Sequence, residues 1–140
     1  MKEIIKILIT LLLGGAGFII LKFILDPILK QKSHITTVID YLISNANIIA
    51  TPGKDNIEKR NNISRELRNL SSGLTSKTLA IPVYTIFEIP KIVKKKSEIE
   101  KTAQDLMRLS NSLFEGYQDI NLSNSQTLKR IYKRLGIKTN

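Results

Sequence analysis

From Ile4 to Leu25 the chain is apolar except for Thr10 and two lysines, Lys6 and Lys22. A run of this kind has no polar face to turn toward water, so it is not the amphipathic helix of a small soluble domain. Its uncharged core, Ile7 to Leu21, is 15 residues long, short of the roughly 20 that cross a bilayer. The flanking lysines make up the difference, because a lysine in a terminal turn lays its methylenes along lipid and lifts its ammonium to the headgroups. Counted from Ile4 to Leu25 the segment is 22 residues, or about 33 Å at a rise of about 1.5 Å per residue. This length predicts a transmembrane anchor over residues 1–25.

A cleaved signal peptide is the competing reading, since Met1 to Lys6 resembles a basic leader and leads into a hydrophobic run. Cleavage near Gly14-Gly15-Ala16-Gly17 would, however, leave Phe18 to Leu25 as an exposed apolar terminus, which favours an uncleaved anchor. Cations decide the orientation: Lys2 and Lys6 precede the core with Glu3 between them, whereas Lys22, Lys30 and Lys32 come closely after it. The positive-inside rule then puts the N-terminus outside and residues 26–140 in the cytoplasm. Within the span Thr10, Gly14 and Gly17 align on one face, where small residues let another helix approach closely.

Beyond Lys30 the chain is polar or amphipathic, and over its whole length it carries 22 Lys+Arg against 12 Asp+Glu, a formal net charge of +10. With no cysteine and a single histidine, His34, there is no disulfide framework, thiolate metal site or thiol nucleophile, and no pair of imidazoles. No cofactor and no enzymatic activity are expected.

Helical periodicity organises the rest. Asp26-Pro27 reads as a helix start, with Asp26 as cap and Pro27 in the first turn. Ile35, Val38, Ile39, Leu42, Ala46 and Ile49 form one buried stripe, stopped by Thr51-Pro52-Gly53. Asp55 is expected to cap the next helix, with the stripe Ile63, Leu67, Leu70 and Leu74, packed against the first as an antiparallel hairpin. Leu79 to Pro90 is read as a helix continuation kinked at Pro82 and stopped by Pro90, covered by other helices or by the membrane surface. Ser97 to Glu100 has capping-box spacing. It opens a helix carrying Ile99, Ala103, Leu106, Leu109, Leu113 and Phe114 and ending at Gly116. A last helix, near Asn124 to Leu135, presents Leu128, Ile131 and Leu135 and stops at Gly136. The expected fold is all-α: a transmembrane helix and, after it, a small cytoplasmic bundle of about four helices.

Asp26-Pro27, Ser44-Asn45-Ala46-Asn47, Arg65-Glu66-Leu67-Arg68, Ala80-Ile81-Pro82-Val83-Tyr84 and Arg108-Leu109-Ser110-Asn111-Ser112-Leu113 stand in this order behind one hydrophobic anchor. In that arrangement the chain resembles a group of small bacterial single-pass membrane proteins to which no activity is assigned. The resemblance covers most of the chain and implies the same architecture in a bacterial inner membrane. It carries no functional residue over.

Two sets of polar residues remain. Asn45, Asn47, Arg65, Arg68, Tyr84 and Asn111 are candidates for a buried hydrogen-bond network that fixes the packing. Lys91, Lys94, Lys95 and Lys96, with Lys129, Arg130, Lys133 and Arg134 on the last helix, form two basic clusters suited to anionic lipid headgroups, at about 1 kcal/mol per basic residue near a membrane surface. The last helix superficially resembles a DNA-recognition helix, but the loop from Glu115 to Ser123 is too long for a helix-turn-helix, which argues against nucleic acid. His34 is expected to be solvated. The functional expectation is a membrane-anchored module that binds itself or a cytoplasmic protein. The alternative is an oligomerising, membrane-active effector that assembles through its transmembrane helix.

Overall fold

Glu3 to Ser44 run as one continuous helix of 42 residues. The computed structural model of the chain describes residues 2–54, 56–115 and 119–137, which are mostly helical with no strand among them. Helix α1 (Lys2–Ile20) passes through a π-helical turn, Leu21–Leu25, into α2 (Asp26–Ser44). The new start expected at Asp26 is therefore absent: Leu25 and Asp26 both keep right-handed helical angles, and the Asp26 carboxylate pairs with Lys30 at 2.8 Å instead of capping. Pro27 accounts for the widened turn. Its ring has no N–H to offer the Phe23 carbonyl and crowds it, and the Asp26 N–H just ahead reaches back five residues to the Leu21 carbonyl. The first half of this helix is long and apolar enough to cross a membrane, and its most apolar stretch is not buried against the rest of the chain.

The second half is built into the body. Val38 and Leu42 are fully buried. At Asn45 the helix breaks (φ −112°, ψ 11°), and the Asn45 amide turns back to donate to the Tyr41 carbonyl at 3.0 Å. The short helix α3 (Ala46–Ala50) then adds Ile49 to the core, and the expected stop at Thr51-Pro52-Gly53 is a 3₁₀ turn over Pro52–Lys54. Helix α4 (Ile57–Leu79) is capped by Asn56, whose Oδ1 accepts the Lys59 N–H at 2.8 Å. Asp55, the expected cap, lies outside the described residues.

Ile63, Leu67, Leu70 and Leu74 face inward as the spacing requires. Between them Ser64, Ser71 and Thr78 recur every seven residues on the same side and are also buried. Ser64 and Ser71 meet helix α6 (Lys96–Ser112) running the other way. The Ser71 hydroxyl donates to the Ala103 carbonyl at 2.7 Å, and the Ser64 and Ser110 hydroxyls lie 2.7 Å apart. The Ser64 and Ser71 hydroxyls are thus satisfied across the interface, where an orphaned one would cost about 1–3 kcal/mol, whereas the Thr78 hydroxyl donates to the Leu74 carbonyl of its own helix.

Leu79 to Pro90 is not a kinked continuation. Helix α4 ends at Leu79, Val83 takes a left-handed conformation (φ 48°), and a separate turn of helix, α5, spans Tyr84–Glu88. Pro82 disfavours the helical conformation at Ile81 and cannot donate. Helix α6 begins at Lys96, so Ser97 lies inside it and forms no capping box. The cap comes from α5: Glu88 Oε1 accepts the Lys96 N–H at 2.6 Å. Ile99, Ala103, Leu106, Leu109 and Leu113 are buried as expected, whereas Phe114 is 45% exposed. Gly116 lies outside the described residues. Helix α7 (Ile120–Leu135) starts a turn earlier than expected. It buries Leu128, Ile131 and Leu135, and ends at Gly136 with φ 85°. One core cluster joins residues of α2, α3, α4, α6 and α7.

His34 is not a solvated residue. Its Nε2 lies 3.1 Å from the Leu70 carbonyl, and its ring sits over Gly73, where a Cβ would meet the imidazole at 2.3 Å. Gly73→Ala is therefore expected to destabilise the body by about 1–3 kcal/mol through overpacking. In a His34→Ala background the same change should instead stabilise by up to about 1 kcal/mol, the helix preference of alanine over glycine. Urea unfolding of the four chains measures both signs, and destabilisation in both backgrounds would refute the contact.

Candidate functional site

The end of the body next to Leu25 carries the densest set of polar and apolar features. Gln31 lies on α2 one turn beyond Ile28, in step with the apolar stripe, and is fully buried. Its amide donates to Thr78 Oγ1 at 2.8 Å and to the Tyr84 hydroxyl at 3.0 Å, and that hydroxyl donates to the Lys94 carbonyl at 2.7 Å. Helix α2 is thus tied at one point to the end of α4, to α5 and to the loop before α6. Burial raises the Tyr84 pKa, as does the charge of Glu88, while the Gln31 bond opposes the shift. Around this knot Ile28, Ile81, Tyr84 and Val93 form a second small core, with Ile24 and Phe87 packed on it.

Beside the knot a groove of about 710 Å³ runs between α2 and the segment from Glu88 to Lys95. Ile35, Ile89 and Ile92 give it apolar walls, and Lys32, Lys91 and Lys95 stand on its rim. Two carboxylates also line it, Glu88 and Glu98. Both are engaged: Glu88 holds the Lys96 amide, and Glu98 lies 3.9 Å from Arg134 Nε.

The six polar residues singled out from sequence do not form one network. Arg68 and Asn111 meet, with Arg68 Nη2 donating to Asn111 Oδ1 at 2.9 Å and Arg68 Nε to Ser110 at 2.9 Å. Arg65 makes only a local bond to Asn62 on the exposed side of α4, Asn45 turns back on Tyr41, and Asn47 is exposed. Tyr84 belongs to the knot at the opposite end. Of the basic residues, Lys91, Lys94 and Lys95 are exposed, and Lys96 opens α6, 3.9 Å from Glu100. The Lys94 ammonium lies against Gly136, at the carbonyl-rich end of α7 where a cation is favoured. On α7, Lys129 and Lys133 are exposed, but Arg130 and Arg134 are not a free basic face. Arg134 Nη1 meets Asp105 Oδ2 at 2.6 Å, and Arg130 Nη2 lies 3.6 Å from Asp105 Oδ1.

Thr10 spends its hydroxyl on its own helix, donating to the Lys6 carbonyl at 2.9 Å. A Cβ built on Gly14 or Gly17 meets nothing within 4 Å, so that face is open. Among the described residues no group of three or more His, Cys, Asp or Glu is placed to hold a metal ion.

The chain matches no protein-family model, no curated protein and no solved structure.

Gln31, Ser64, Ser71, Thr78, Ser110 and Asn124 are among the buried polar residues missed from sequence. Asn124 donates to the Ile49 carbonyl at 2.8 Å and so locks α7 to α3. The available signal is positional: Gln31 stands between Ile28 and Ile35 at helical spacing, and Ser64 and Ser71 interrupt an apolar stripe at intervals of seven.

Proposed function

We propose that the chain is a single-pass, membrane-anchored helical interaction module of a bacterial inner membrane, with its N-terminus outside. Its body, a bundle of the four long helices α2, α4, α6 and α7, lies in the cytoplasm and binds a second copy or a cytoplasmic protein at the membrane. The observation that carries this reading is the unbroken helix from Glu3 to Ser44. Its first half is unburied and apolar, and its second half supplies core residues to the body, so no flexible linker separates anchor from module. A body held at a fixed height and angle is suited to presenting a surface to partners near the bilayer. The exposed Lys91, Lys94, Lys95, Lys129 and Lys133 are suited to anionic lipid on the same side. Binding rather than catalysis is favoured by the engagement of Glu88 and Glu98, the two acids beside the groove.

A second reading, assembly through the span, is favoured by the open face at Gly14 and Gly17. The test is topology together with oligomeric mass. A reporter fused after Asn140 is expected on the cytoplasmic side, and a periplasmic signal would overturn the orientation. The mass of the detergent-purified chain is expected to be unchanged by Gly14→Leu, or by exchange of Ile4 to Leu25 for an unrelated membrane helix. Dispersal of an oligomer by either change would favour assembly through the span.

A further inference from the structure

We infer that α5 and the loop after it form an interfacial docking surface, which inserts its exposed apolar face into the anionic headgroup layer beside the anchor. This rests on the anchored reading proposed above. The decisive contact is Ile24. It belongs to the last turn of the apolar segment, yet it packs with Phe87 on the small core of Ile28, Ile81, Tyr84 and Val93. The bonds from Gln31 to Thr78 and Tyr84, and from Tyr84 to the Lys94 carbonyl, hold that core closed. Helix α5 is therefore pinned beside the point where the anchor leaves the hydrocarbon, and the two share one depth.

At that depth the outward side of the segment is apolar. Val83 is 64% exposed, Ile86 59% and Ile89 86%. Left in water, such a cluster is a liability, and contiguous exposed apolar patches mark interaction sites. Val83 directly before α5 is left-handed (φ 48°), a costly conformation for a β-branched side chain, and so is Lys91 in the loop after it (φ 56°). Lys91, Lys94 and Lys95 come directly after the apolar face and are exposed. Apolar side chains beside lysines are the composition of elements that lie in the bilayer interface, about 5–10 Å into the headgroup and acyl boundary. The lysines select for acidic lipid.

The chain contains no tryptophan, so single tryptophans report depth without background. Full-length chains carrying Ile89→Trp, Ile86→Trp, Leu12→Trp or Asn121→Trp are placed in vesicles of phosphatidylcholine with or without phosphatidylglycerol. Quenching by lipids brominated at shallow or deep acyl positions is then measured. Leu12→Trp should be quenched most by deep bromines and Asn121→Trp not at all. Ile89→Trp and Ile86→Trp should be quenched by shallow bromines, at least twofold more strongly with phosphatidylglycerol. That excess should disappear when Lys91, Lys94 and Lys95 are all replaced by Gln.

If Leu12→Trp is quenched but both α5 reporters match Asn121→Trp, the docking surface is refuted and the anchor stands. If Leu12→Trp is not quenched, the anchored reading falls and takes this inference with it. Equal quenching with and without phosphatidylglycerol overturns the preference for acidic lipid. A blue-shifted, lipid-insensitive Ile89→Trp signal that grows with protein concentration overturns the inference in favour of a second copy covering the face.

Discussion

Replacing Leu67 with aspartate is expected to unfold the helical body. Leu67 is completely buried on α4, in the cluster that also holds Leu42 and Leu106. The change removes about 1.5–3 kcal/mol of side-chain burial and leaves a carboxylate with no partner in the core, for a total above about 4 kcal/mol. Small domains are stable by about 5–15 kcal/mol, so most or all of the margin is lost. Loss of the cooperative helical melt in detergent measures this. Lys101→Ala, an exposed position on α6, should stay within about 0.5 kcal/mol of the parent chain. Equal melts for the two variants would refute the placement of the stripe.

Asp105→Ala is expected to cost about 2–3 kcal/mol and to loosen α7 first. The Asp105 side chain is only 14% exposed and that of Arg134 only 19%, with 2.6 Å between their charged atoms. At this degree of burial the loss of one partner leaves an uncompensated charge, which costs more than the pair contributes. Arg130 then also loses its anion, so two guanidiniums face each other. Arg130→Ala should cost much less, since its side chain is 42% exposed and solvent screens it. Urea unfolding gives the order. If Arg130→Ala costs as much as Asp105→Ala, the attachment of α7 does not run through the buried carboxylate.

The difference between Arg130 and Arg134 illustrates what can be read from sequence. The stripes on α2, α4, α6 and α7 are legible because burial repeats with the helix period, and every one of their leucines lies where the spacing puts it. Pairing across helices has no such period. Asp105 lies 29 residues from Arg134, and nothing local marks the two as partners, so the last helix reads as a uniformly basic surface. The start of α6 is misplaced from sequence for a similar reason. The Ser97 and Glu100 spacing is a sound local signal, but Glu88, from a separate element, supplies the acceptor one residue earlier. His34 reads as solvated because the glycine that accommodates its ring is 39 positions away, at Gly73. At the candidate site the apolar character of Leu79 to Pro90 is legible, as is the choice between helical and membrane cover. The division into a packed side and an open side is not, because it depends on Val83 leaving the helical conformation.

The π turn at Leu21–Leu25 has a rotational consequence. One residue adds about 1.5 Å of rise but about 100° of turn to a helix with 3.6 residues per turn. Because the backbone runs unbroken from Glu3 to Ser44, the azimuth of the face carrying Thr10, Gly14 and Gly17 is geared directly to that of α5 and the body. Widening or tightening this single turn by one residue would swing one face around the other like a key in a lock, with almost no change in height above Leu25.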